Sequence, residues 1–173
     1  MTLVRPPGAA PLAPQQTTFA EAVERHLDDV FGYLLYLTRD RSLADDLSGS
    51  TFEKARRSWP RFDPGRGSAR TWLLGIARTT ALDWFRSESR RRRREEAAAR
   101  PERVDEAFVE GLSPELEEAL ETLSAGEREV LALRIVLELD GDATARVLGI
   151  SPTAVSTRLS RALKRLEERV TEG

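Results

Sequence analysis

The chain contains no cysteine, which excludes disulfides and cysteine-based metal sites. A single histidine, His26, leaves no His-rich metal cluster and no Ser/His/Asp triad. No apolar run approaches the roughly 18 residues that a membrane helix needs. The opening MTLVRPPGAAPLAPQQTT carries one arginine and no apolar core of the kind a secretory signal holds, so the expected location is the cytoplasm, without insertion into a membrane. Strand-like alternation and internal repeats are also missing. The glycines of GRGSA follow no strand, so they do not read as a phosphate-binding loop. With no nucleophile–base pair and no metal constellation, the sequence offers no catalytic residues and calls for no cofactor, and an enzyme is not expected.

What is present is a core-forming composition. Of 173 residues, 40% are hydrophobic and 32% charged, which argues against disorder throughout. The net charge of −2 conceals strong segregation. Residues 1–53 carry 4 basic and 8 acidic side chains, and residues 54–94 carry 13 and 3. Residues 95–142 carry 4 and 15, and residues 143–170 carry 6 and 2. Two basic zones separated by acidic ones fit two contacts with a polyanion. They also fit two solvated faces of an ordinary helical protein.

Four prolines and little periodicity make residues 1–18 a flexible tail. From Phe19 the spacing turns helical: Val23, Leu27, Val30, Phe31, Leu34 and Leu35 form one stripe. Asp40 to Ser42 break it. Leu43, Leu47, Phe52, Ala55 and Trp59 form a second, which Pro60 ends. RFDPGRG (61–67) has loop chemistry. A long helix follows from about Ser68, with Trp72, Leu73, Ile76, Ala77, Leu82 and Phe85 on its apolar side. Arg90 to Arg94 lead into an Ala/Glu/Arg stretch that reads as a polar linker. A second module begins at Ser113-Pro114, a cap followed by proline at the first helical position. Leu116, Leu120 and Leu123 stripe a short helix, and Ser124 to Glu127 form a capping box. Asp140-Gly141 reads as a turn. A short helix ends at Leu148, and Gly149 makes a tight turn. Ser151-Pro152 caps a last helix, with Val155, Leu159, Leu163, Leu166 and Val170 as its inner face. The expected fold is all-α, with two small helical domains (19–94 and 113–170) joined by a flexible polar linker (95–112).

A short helix, Leu148-Gly149-Ile150-Ser151, and a longer helix rich in arginine have the layout of a helix-turn-helix. Thr153, Ser156, Thr157, Arg158, Ser160, Arg161 and Lys164 fall on the outer face of that last helix. Hydroxyls and arginines suit base edges and phosphates of duplex DNA. A plain helical hairpin with a basic exposed face is the alternative.

The stretches LADDLSGSTFEKA, RFDPGRGSARTWLLGIARTTALDWFRSESRRRR, LSAGEREVLALRIV and LGISPTAVSTRLSRALKRL together resemble the sigma-70 family, in its smallest, extracytoplasmic-function (ECF) group. The likeness spans about residues 19–170 and keeps element order and linker position. It implies an alternative sigma factor that gives RNA polymerase its promoter specificity. By the same resemblance Asp45, Asp46 and Leu47, with Phe52 beneath, dock on the clamp helices of the polymerase largest subunit, and the flap region is a further contact. Placement near a helix start is the other explanation for the two aspartates. The loop and the helix after it look like the −10 reader of the melted non-template strand. That assigns Phe62, Asp63, Arg66, Ser68, Arg70, Trp72, Arg78, Thr79, Asp83 and Arg86. Aromatic stacking plus arginine charge is what binds a single strand, although a tryptophan on a helix stripe, as at Trp72 and Trp84, is also ordinary core. The last helix would read the −35 duplex through Ser156, Thr157, Ser160 and Arg161, with Arg158 and Lys164 on phosphate. An anti-sigma factor is the further partner the family implies, often membrane-anchored; no small-molecule substrate is.

The sequence departs from the family pattern at Gly49-Ser50, Thr79, Thr144 and Ser156. Gly49 weakens its helix, and Thr144 stands where a bulky apolar residue is usual. Two competing readings are a duplex-binding regulator that works without polymerase and a helical hydrolase. The first leaves RFDPGRGSARTW and the acidic helix unexplained. The second has no chemistry to work with.

Overall fold

The computed structural model describes residues 17–96 and 114–172, and those residues form helices and turns without a strand. The tail, apart from its last two residues, most of the linker and the expected cap at Ser113 lie outside the described residues. Helix α1 (Phe19–Thr38) starts at a capping box: the Glu21 amide donates to Thr18 Oγ1 and the Thr18 amide donates to Glu21. It ends on Arg39 in the left-handed region, φ 53°. Asp40, in the expected break, caps α2 (Arg41–Ser58) by accepting from the Leu43 amide at 3.0 Å. Helix α2 stops just before Pro60, and Trp59–Arg61 tighten into a 3-10 turn. The long helix α3 (Ala69–Glu96) follows the loop. Val30, Tyr33 and Leu34 of α1 meet Ala44, Leu47 and Ala55 of α2 and Leu73, Leu74, Ala77 and Ala81 of α3 in one core. Leu27, which the spacing puts on the stripe, is 46% exposed.

In the second half, α4 (Pro114–Glu121) precedes α5 (Ala125–Leu131), whose Ser124–Glu127 capping box is formed as expected. Helix α5 widens into a π-helical turn (Ala132–Val136). Asp140-Gly141 is a helix start rather than a free turn: Asp140 accepts from the Ala143 amide and caps α6 (Gly141–Leu148). Gly149 adopts φ 65°, ψ 35°, the left-handed geometry that glycine supplies without steric cost. Ser151 accepts from the Ala154 amide and opens α7 (Pro152–Glu172). The inner line of α7 is the buried Val155 and Ala162 with the half-buried Leu159 and Leu166. Leu163, expected inside, is 46% exposed. A helix of 3.6 residues per turn drifts from a strict four-residue spacing and brings position 162 inward instead. The two halves are not separate cores. Val130, Leu133, Leu137, Ala143 and Val147 continue the apolar cluster of the first half, where α6 packs on α3 and the π-helical turn on α1.

Candidate nucleic-acid interface

The loop before α3 is shaped by its own side chains. Asp63 accepts from the Gly65 amide at 2.9 Å, and the Arg66 amide closes on the Asp63 carbonyl at 3.0 Å. Ser68 then caps α3, accepting from the Thr71 amide at 3.1 Å. The 3-10 turn folds Phe62 flat against Trp59, with centroids 4.8 Å apart and planes at 18°. Trp72 closes the group, 5.3 Å from Phe62 and 5.7 Å from Trp59, and Phe19 meets Trp59 edge-on.

Beside this cluster opens a cavity of about 560 Å³. Six of the expected strand-binding residues line it: Phe62, Asp63, Arg66, Ser68, Trp72 and Thr79. Sequence reasoning missed Lys54, Ser58, Arg61 and Arg146, which also line it. Lys54 and Ser58 come from α2 and Arg146 from α6, and no local pattern reports such approaches. Aromatic faces within a ring of cations form a slot that a nucleobase and its phosphate can enter. Trp72 is half-buried and serves both as packing and as cavity wall. Trp84 packs edge-on to Phe85 away from the cavity, as core. Thr79 is exposed, and its hydroxyl donates to the Gly75 carbonyl at 3.0 Å.

Four expected residues lie elsewhere. Asp83 and Arg86 pair with each other on the exposed side of α3. Arg86, Arg90 and Arg93 line a shallower groove further along. On the same helix Glu88 holds Arg91 at 2.7 Å and Arg92 at 3.3 Å, and those hydrogen bonds keep its carboxyl below the usual range. Arg70 and Arg78 turn to the second half of the chain. Arg70 pairs with Asp29 through Nε (2.7 Å) and Nη2 (3.2 Å), and Nη2 also donates to the Leu137 carbonyl at 2.6 Å. Arg78 forms a two-pronged pair with Glu129, Nε to Oε1 at 2.8 Å and Nη2 to Oε2 at 3.3 Å. Glu129 is buried and accepts from Tyr33 Oη at 2.9 Å as well. Burial first, and then the Glu129 carboxylate, push the Tyr33 hydroxyl well above its ordinary pKa.

On α2, Asp45 and Asp46 are exposed, while Leu47 is buried and Phe52 packs against the core. The helix begins at Arg41 and its first turn holds no acidic residue. The helix-dipole explanation for the two aspartates therefore weakens, because that effect fades within one turn. Gly49 and Ser50 are exposed on the same helix, and a Cβ on Gly49 would meet open space.

Helix α7 presents Thr153, Ser156, Thr157, Ser160, Arg161 and Lys164 to solvent. The Ser156 and Thr157 hydroxyls donate to carbonyls one turn back and keep acceptor capacity outward. Arg158 is half-buried and lies over α5, so that a Cβ at Gly126 would come 3.1 Å from its Nη1. Arg165 braces the same helix start, 3.0 Å from Glu127. The Ser124 amide, with help from Arg165, holds the Glu127 carboxyl below its usual range. Thr144 of α6 is fully buried, and its hydroxyl has no hydrogen-bond partner. Among the described residues no cluster of histidine and acidic side chains could hold a metal, and no helix is long and apolar enough to cross a membrane.

Comparison with known proteins agrees with this layout. Residues 22–91 match the family model of Sigma-70 region 2, and residues 113–166 match that of Sigma-70, region 4. The chain is 36% identical over 138 residues to the ECF RNA polymerase sigma factor SigC of Mycobacterium tuberculosis, covering 78% of this chain and 73% of that one. It is 31% identical over 160 residues to the RNA polymerase sigma factor CarQ of Myxococcus xanthus, covering 88% and 89%. In fold it is similar to the sigma factor RpoE of Bartonella quintana, solved with the anti-sigma factor NepR. The TM-score is 0.72 at 22% identity, over 88% of this chain and 96% of that one. A chain with helices and no strand among its described residues, with both regions in order and relatives of this identity across most of their length, belongs to the sigma-70 family of RNA polymerase sigma factors, in its ECF group.

Proposed function

We propose that this sigma factor docks on core RNA polymerase through the exposed Asp45–Asp46 face of α2 and lends it promoter specificity through two DNA contacts. The first domain, residues 19–94, takes the melted −10 strand. The cavity beside Phe62 and Trp72 receives one unstacked base, while Lys54, Arg61 and Arg66 hold the backbone. The second domain, residues 113–170, reads the −35 duplex with Ser156, Thr157, Ser160 and Arg161, and Lys164 sits on phosphate. The polymerase flap is the further contact. The protein contributes binding and positioning, and the polymerase supplies the covalent chemistry.

The observation that carries this reading is the aromatic-walled, cation-ringed cavity opening at the start of α3. Unstacking a base costs a few kcal/mol, and stacking on an aromatic face returns about 1–3 kcal/mol. By analogy with the RpoE–NepR complex, a protein inhibitor holds this chain inactive in the cytoplasm, or at the membrane where that inhibitor is anchored. Once released, the sigma factor acts on the nucleoid.

Two substitutions test separate parts of the reading. Asp46→Arg is expected to weaken binding to core polymerase in a pull-down while leaving the helical circular dichroism intact. Unchanged affinity would remove the docking assignment. Phe62→Ala is expected to lower permanganate reactivity of −10 thymines in the polymerase complex, with −35 protection retained. Equal strand opening would remove the cavity from the −10 contact.

A further inference from the structure

The cavity beside Phe62 and Trp72 gathers more positive charge than a slot for one base and its phosphate uses. Lys54, Arg61, Arg66 and Arg146 line it, and Asp63 is the one acidic side chain among the lining. Four cations and one carboxylate leave three positive charges in surplus. Among the described residues Arg61, Arg66 and Arg146 form no ion pair. Lys54 Nζ donates to the neutral Thr80 hydroxyl at 3.2 Å. Two other arginines of α3 are matched: Arg70 grips Asp29 and Arg78 grips Glu129. Arg146 stands apart, because it comes from α6 and the strand contact gives it no role. Its Nε lies 3.5 Å from the place of a Cβ on Gly67, at the start of α3. Cations that converge without carboxylates repel one another, and the potential they focus in a cleft attracts an anion.

We propose that this cavity is also a binding site for a free purine nucleoside diphosphate. The base stacks against the aromatic group of Phe62 and Trp72, as any base can, since each has a π-face. The diphosphate lies among Lys54, Arg61, Arg66 and Arg146. It carries about three negative charges at pH 7, its terminal phosphate close to two, and so balances the surplus. A strand phosphate brings one charge and leaves the rest unmatched. Hydroxyls of Ser58 and Thr79 also line the cavity and suit a ribose. The volume, about 560 Å³, falls within the roughly 300–1,000 Å³ of small-molecule sites. A nucleotide held there takes the slot that the −10 base needs, so its concentration sets how much of the sigma factor is free to take the strand. The inference rests on the reading of this cavity as a base receptor.

Isothermal titration calorimetry of the full chain tests this with adenosine 5′-diphosphate (ADP), adenosine and pyrophosphate, at one ionic strength and without added magnesium. ADP is expected to bind one per chain, about a hundredfold tighter than adenosine or pyrophosphate, because joining the two halves makes the second contact intramolecular. Arg146→Ala is expected to weaken ADP about tenfold and to leave adenosine unchanged. A merely structural effect would move both. Arg146→Lys should recover part of the loss, since it keeps the charge but not the fork. Phe62→Ala should weaken ADP and adenosine together and spare pyrophosphate. Pyrophosphate that binds as tightly as ADP would reduce the site to a phosphate contact and overturn the proposal. ADP affinity unmoved by Arg146→Ala, in a variant with native circular dichroism, would overturn it too. The two readings of the cavity fail separately. If ADP does not bind while Phe62→Ala still lowers permanganate reactivity in the polymerase complex, the nucleotide site falls and the −10 contact stands. If ADP binds as expected while Phe62→Ala opens the strand as well as the parent, the −10 contact falls and the competition with it.

Discussion

Replacing Thr144 by valine removes a hydroxyl that the fold buries completely and leaves without a partner. The position lies on α6, between the first domain and α7. An unsatisfied buried polar group costs about 1–3 kcal/mol. Valine has nearly the same shape and similar helix propensity, so little opposes the gain. Its second methyl also adds apolar surface where the hydroxyl stood. A net stabilisation of about 1 kcal/mol is expected. For a chain of this size that raises the thermal midpoint by about 2–4 °C. Urea unfolding followed by circular dichroism gives the same quantity, with the midpoint moving up and the slope unchanged. Thr144→Ser is the control: it keeps the hydroxyl, loses a methyl and should destabilise. A valine variant as stable as the parent, or less stable, would show that the hydroxyl is satisfied and refute the reasoning.

Gly49→Ala should stabilise the protein by about 0.5–1 kcal/mol, read from the same unfolding curve, because the helix has open space for a Cβ there. Arg161→Ala is expected to relax −35 selectivity by roughly 1–3 kcal/mol, measured across a set of single-base promoter variants. Uniform affinity loss across those variants would move Arg161 from base to phosphate. Burial of Tyr36 raises its hydroxyl to about 12 in the folded protein, against about 10 when unfolded. The neutral form is favored by folding, so this contribution is complete below pH 10 and is lost as the pH rises toward 12. Tyr36→Phe should flatten that alkaline loss of the thermal midpoint. Tyr33, shifted in the same direction, keeps part of it.

Local chemistry was the legible part of this chain. Ser124 with Glu127, Gly149 and Ser151 mark helix ends by rules that act within a few residues, and the structure places them as those rules predict. Thr18 with Glu21 follows the same rule and could have been read the same way. Leu163 was misplaced because two successive four-residue steps from Val155 turn it about 80° off the inner line at 3.6 residues per turn. In the candidate site, the aromatic and loop residues 62–72 were readable because they are neighbors in sequence. Lys54 and Arg146 were not, since tertiary packing alone carries them to the cavity. Arg78 looked like a free cation because its partner, Glu129, sits 51 residues away. Long-range pairs leave no local periodicity. The segregated charge was read as two contacts with a polyanion or two solvated faces, and the pairing of Arg78 with Glu129 lies outside both readings.

Transcription in a purified system is the most direct measurement of the central claim. Core polymerase, lacking any sigma factor, is given a library of promoter sequences with and without this protein, and the RNA start sites are counted. The account predicts new starts that depend on the protein and share two short elements upstream, one at −10 and one at −35. Start sites that are unchanged by the protein, at protein concentrations where it binds core polymerase, would contradict it.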